Sequence, residues 1–191
     1  MKIRFPFLLS LLAVLIYGIN SGTIYASKND KPDAYEKIFP EMGYKTVHEA
    51  KRDFEHHFNQ KLKLPLRVPP ITFTHHFGRF NNLDGDINDS FNMVFISDIS
   101  PENHFKIDVR PVKHKITLKD KYVLQVYNLK NGNEAKYMNF SGFNLLVFER
   151  DNWQYIFSVD KRVSDKVTPE TLVQIANSID YSAELNKRFF Q

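Results

Sequence analysis

The groups best equipped for chemistry in this chain are its histidines, seven in all, and the run "NNLDGDINDS" from Asn81 to Ser90. A metal site needs several donors converging on one point, at spacings the local backbone can close. His75 and His76 are adjacent in "TFTHHF", so on a strand they face opposite ways. His56 and His57 lie about 100° apart on a helix and also diverge. There is no H-E-x-x-H, and with no cysteine there is no Cys/His ligand spacing. Oxygen-bearing Asn82, Asp84, Asp86 and Asn88 alternate, and calcium takes six or more oxygens. However, Gly85 is displaced from its place in a helical calcium loop and no distal glutamate follows, so a polar hairpin tip accounts for the same letters. "SVDK" (Ser158 to Lys161) matches S-x-x-K, but that pair works from the start of a helix, and Ser158 reads as a strand end. These residues assign no catalytic, cofactor-binding or metal site. Enzyme chemistry on loop 82–89 or on the histidines remains the alternative.

One further segment carries charge. Arg110, Lys113, Lys115, Lys119 and Lys121, with His114, face a single acid, Asp120. Such a run can hold an anionic surface of lipid headgroups or wall polymer. It can equally be the solvated edge of a sheet, where lysines discourage pairing with another strand. Basic and aromatic residues are not interleaved in the nucleic-acid-binding manner, and no nucleic acid is expected.

The elements that must position these residues are legible. Thr46 with Glu49 is a capping box, and Val47, Ala50, Phe54, Phe58 and Leu62 form one apolar stripe before Pro65. From Ile71 to Asp160 the period falls to two, over "ITFTHHF", "FNMVFIS", "HFKIDVR", "KYVLQVYNL", "EAKYMNF", "FNLLVFE" and "WQYIFSV". Asn131-Gly132 and Asp151-Asn152 are hairpin turns. Thr168, Pro169 and Glu170 open a closing helix that buries Leu172, Val173, Ile175, Ala176 and Ile179. The expected fold is α+β: a curved antiparallel sheet of six to seven strands, with an N-terminal and a C-terminal helix on one face. In "WQYIFSV" the stripe Trp153, Tyr155, Phe157 and Val159 is a core face, expected under the helix Pro169 to Ile179. Residues 46–191 read as one domain, and 27–45, polar with two prolines, as a linker or arm.

Residues 1–26 read as a secretory signal: Lys2 and Arg4, then the apolar Phe5 to Ile19, then small and polar residues with cleavage after Ala26. Fifteen apolar residues fall short of the roughly 20 a spanning helix needs, and the alternative is an uncleaved tether. Loss of this segment removes two basic residues and lowers the formal charge from +4 to +2. The absence of cysteine excludes disulfides and a lipoprotein anchor, which suits the outer face of a Gram-positive cell. The sequons at Asn88 and Asn139 read as chance. The expected protein is a monomeric, secreted or extracytoplasmic, non-catalytic envelope domain that binds a protein or an anionic wall or lipid surface, with no cofactor.

The C-terminal pattern also resembles a domain family of unknown function found in exported and membrane-anchored proteins of Bacillus-like Firmicutes. That pattern is a tryptophan strand, a tyrosine two residues on, and a closing helix E-x-L-x-x-I-A-x-S. Here it is Trp153, Tyr155, Glu170, Leu172, Ile175, Ala176 and Ser178, within residues 143–179. "TVHEAKRDF" leading into "LPLRVPP" is similar to the family's start. The resemblance implies location and fold, and carries no site over.

Overall fold

The computed structural model describes residues 34–83 and 87–189, and of 180–189 the backbone alone. The expected signal at 1–26, together with Asp84 and Asp86 of the acidic loop, lies outside the described residues. The elements run α1 (Tyr35–Glu41), α2 (Val47–Phe58), β1 (His75–Asn81), β2 (Ser90–Ile96), β3 (Phe105–Pro111), β4 (Val123–Asn128), β5 (Glu134–Phe140), β6 (Phe143–Arg150), β7 (Trp153–Asp160) and α3 (Pro169–Phe189). All seven strands form one open antiparallel sheet in the order β1-β2-β3-β7-β6-β5-β4. The fold is the expected α+β, with α2 and α3 packed on one face, called the front.

Local chemistry explains the elements. Thr46 and Glu49 make both halves of the capping box, and Asn59 closes α2 in the left-handed conformation, φ 48°. The β6–β7 hairpin turns on Asp151 and Asn152, both at positive φ (51° and 67°), which asparagine and aspartate tolerate better than other non-glycine residues.

The front face of the central strands is the core. Trp153, Tyr155, Phe157 and Val159 are buried beside Phe105, Ile107 and Val109 of β3, under Leu172, Ile175 and Ile179 of α3. The rings against Trp153 come from α2. Phe54 lies 4.8 Å and Phe58 5.4 Å from it, centroid to centroid. The tryptophan is at the α2 end of the strand because the antiparallel register sets it opposite Pro111, the last residue of β3.

The extended segment 61–67 follows α2 and is interrupted by Pro65, so the neighbouring strands leave its backbone groups to find other partners. The Trp153 indole N–H donates to the Lys61 carbonyl at 3.2 Å, and the Tyr155 hydroxyl to that of Lys63 at 2.8 Å. The Ser178 hydroxyl accepts from the amides of Leu66 (3.0 Å) and Arg67 (3.2 Å). Burial also pushes the Tyr155 phenol up, well out of its ordinary range.

One boundary moved. Strand β1 starts at His75 and not at Ile71, because its partner β2 ends at Ile96, opposite His75, leaving Ile71 to Phe73 nothing to pair with. Residues 34–45 are a packed arm. Helix α1 lies on the back face, where Phe39 stacks on Phe77 at 4.6 Å. Lys45 then exchanges two 2.8 Å backbone hydrogen bonds with Gly78 at the outer edge of β1. The polar composition of the segment hides this packing, in which Tyr35, Phe39 and Tyr44 take part.

Gly78 is where the arm, β1 and α2 meet: a Cβ there would lie 2.7 Å from the Val47 Cα. Gly78→Ala should therefore force α2 off the sheet. It is expected to cost about 1–3 kcal/mol, the usual scale for overpacking, read as a lower urea midpoint by circular dichroism.

Candidate functional site

β3 lies third in the sheet and β4 seventh, so the connection 112–122 must cross β7, β6 and β5. It does so as a strap over the back face. Gln154 points to that face and pins the strap: its side-chain carbonyl accepts from the Ile116 amide at 2.8 Å, and its NH₂ donates to the Ile116 carbonyl at 3.0 Å. Two ion pairs tie it further, Lys115 to Glu149 at 2.7 Å and Asp120 to Lys136 at 3.0 Å. Between strap and sheet remains a cleft of about 550 Å³, lined by Ile116, Thr117, Leu118, Asn133, Val147 and Glu149 among others. Its lining mixes apolar side chains with charged ones, Lys136 and Glu149 among them.

The basic segment proves to be three different things. Arg110 is mostly buried on the back face, 3.3 Å from Asp108. Asp108 in turn accepts from Asn92 at 2.6 Å, and Asn92 from Asn81 at 3.0 Å, a polar row across β3, β2 and β1. Arg110 is thus part of the sheet's internal bonding. Lys115 is committed to Glu149. Lys113, Lys119 and Lys121 are exposed, and among the described residues no carboxylate pairs with them. The Lys121 ammonium sits 4.9 Å above the Tyr122 ring. Sequence reasoning grouped five cations. The alternation of β3 and the route of the strap separate them.

The histidines diverge as their spacing required. His75 is half-buried on the back face, its ring nitrogens 2.6 Å from the Glu36 carboxylate and 2.7 Å from the Thr74 hydroxyl. The Glu36 carboxyl is held low by its own backbone N–H and then by His75. His76 stacks on Phe95 from the opposite face. Desolvation lowers the pKa of His104, which meets the Phe143 ring edge-on.

Sequence reasoning missed one pair. Asp89 is fully buried, and its carboxylate accepts from the Leu83 amide at 2.6 Å while its other oxygen lies 3.0 Å from His57 Nε2. A shallow depression of about 410 Å³ beside it is lined by Arg52, Asp53, His56, His57, Phe80 and Asn82. The residues are too far apart in sequence for any spacing to signal the pair. Among the described residues no three histidine or carboxylate side chains gather as a metal would require. Ser158 lies within β7, between Lys106 and Leu145, and not at the start of a helix.

Comparison with family models, curated proteins and solved structures gave no match.

Gln154→Ala removes both bonds that hold Ile116, each worth about 0.5–1.5 kcal/mol. Hydrogen exchange should accelerate at the strap amides 115–118 and stay unchanged in α2. Equal acceleration in both would mean that the strap is not separately pinned.

Proposed function

We propose that this chain is an exported, non-catalytic binding domain of the cell envelope, and that its strap side engages an anionic surface or a protein. The observation that carries the reading is the strap itself: a pinned segment that exposes Lys113, Lys119 and Lys121 beside a cleft of about 550 Å³. The signal-like segment 1–26 and the resemblance of residues 143–179 to exported Firmicute proteins support the location. Among the described residues no helix is long and apolar enough to cross a membrane.

The test expresses the full chain in a Gram-positive host. The expected outcome is a mature protein starting at Ser27, by intact mass, that sediments with isolated envelopes. Near an anionic surface a lysine contributes about 1 kcal/mol. Replacing Lys113, Lys119 and Lys121 by glutamine should therefore weaken sedimentation by on the order of a hundredfold. A full-length cytosolic protein indifferent to envelopes would sink the reading.

A second reading rests on the His57–Asp89 pair, because a histidine backed by a buried carboxylate beside a depression is the arrangement of a general base or a metal ligand. Thermal melts with calcium, zinc and EDTA separate the two. A stabilised midpoint with one ion would favour the enzyme reading, since bound ligand adds stability by mass action. An unchanged midpoint is expected.

A further inference from the structure

Beside the cleft the sheet ends at β4, an edge strand with an unusual surface. Leu124 is 66% exposed, Phe140 54% and Val126 47%, and Tyr122 is also exposed. The Tyr122 and Phe140 rings meet edge-to-face at 5.8 Å. The pairing of β4 with β5 slips between Val123 and Gln125, so Val123 stands opposite Met138 and Val126 opposite Lys136. Positions 138 and 136 share the back face of β5, so this irregularity brings Val123 and Val126, three residues apart, to the same side. Strand β4 itself, "VLQVYN", carries no charge. Its rim does: Lys119 and Lys121 lie just before it in the strap, and the one acid among them, Asp120, is neutralised by Lys136.

An apolar edge invites strand pairing, but a slipped register and flanking lysines are what sheets use to prevent it. Apolar and aromatic side chains at the centre, with lysines on the rim, instead suit the boundary of an anionic bilayer. There rings and aliphatic groups enter the headgroup region while ammonium groups meet phosphates. We propose that the β4 edge is a lipid-docking surface, with Tyr122, Leu124, Val126 and Phe140 entering the interface and Lys119 and Lys121 holding the headgroups. The proposal rests on the envelope-binding reading and names its partner as the membrane.

The absence of cysteine makes a position-specific test direct. The full chain is given a single cysteine in place of Leu124, Phe140 or, as a distant control, Ile99, which is 80% exposed. Each is labelled with an environment-sensitive fluorophore, and its fold checked by circular dichroism. On vesicles of phosphatidylcholine with about one third phosphatidylglycerol, labels at 124 and 140 should shift to the blue and be quenched by doxyl-labelled lipid. The label at 99 should do neither, and phosphatidylcholine alone should leave all three unchanged. Adding Lys119→Gln and Lys121→Gln should abolish the response at 124. Labels that stay solvent-like on vesicles carrying bound protein overturn the proposal, whatever else holds the chain there. If such a protein still sediments with envelopes, the envelope reading stands and the partner is a protein or wall polymer. Mutual quenching of the 124 labels without vesicles would assign the edge to a second copy of the chain and also overturn it.

Discussion

The antiparallel pairing of β3 with β7 is the constraint around which the molecule is arranged. It joins two consecutive meanders, β1–β3 and β4–β7, and sets Phe105, Ile107 and Val109 beside Val159, Phe157 and Tyr155. Once these strands are neighbours, β4 must lie at the far edge, and residues 112–122 must bridge four strand positions. Four steps are about 19 Å across the sheet, and the traverse from one end of the strands to the other adds about 20 Å along them. Eleven residues coiled as a helix would span only about 16 Å. The connection therefore cannot be one helix: it crosses the back face with a single 3-10 turn at each end, Val112–His114 and Asp120–Tyr122, and between them its backbone bonds to the Gln154 amide above a cleft.

The front face answers a different need. Segment 61–67 leaves α2 with prolines ahead of it and no strand to join, so the core side chains supply its bonds. Trp153, Tyr155 and Ser178 each send a polar atom to that segment. The same residues bury their apolar parts in the core, so one set of side chains serves packing and bonding at once. The contacts span some 90 to 110 positions of sequence, tying the segment that follows α2 to the last strand and the closing helix. The motif that looks most distinctive in the sequence is thus a structural clasp.

With the front face consumed by packing and clasp, the back face and its β4 edge hold the surface available for partners. The polar row from Asn81 to Arg110 fills the β1–β3 half, and α1 covers part of it through Phe39. The β5–β7 half lies under the strap. What projects is the strap's exposed lysines and the apolar side chains at the edge, which the strap's own route brings side by side.

Periodicity and turn chemistry determined the fold class by themselves. The capping box of α2, the alternation of β5, β6 and β7, and the Asp151-Asn152 turn are local signals, decided by backbone preferences within a few residues. The divergence of His75 and His76 was legible for the same reason, since alternation on a strand needs no knowledge of its neighbours. Tertiary structure alone decided matters that depend on strand order and register. These are the β3–β7 join and the strap it requires, the cover of Trp153 by Phe54 and Phe58, the His57–Asp89 pair and the packing of the 34–45 arm. It also divided the five cations of 110–121 into a buried arginine, a paired lysine and three exposed lysines. A sequence states which charges are neighbours along the chain. Which of them meet a carboxylate depends on which face each strand turns inward and where a connection must cross, and both are set by partners far away in sequence.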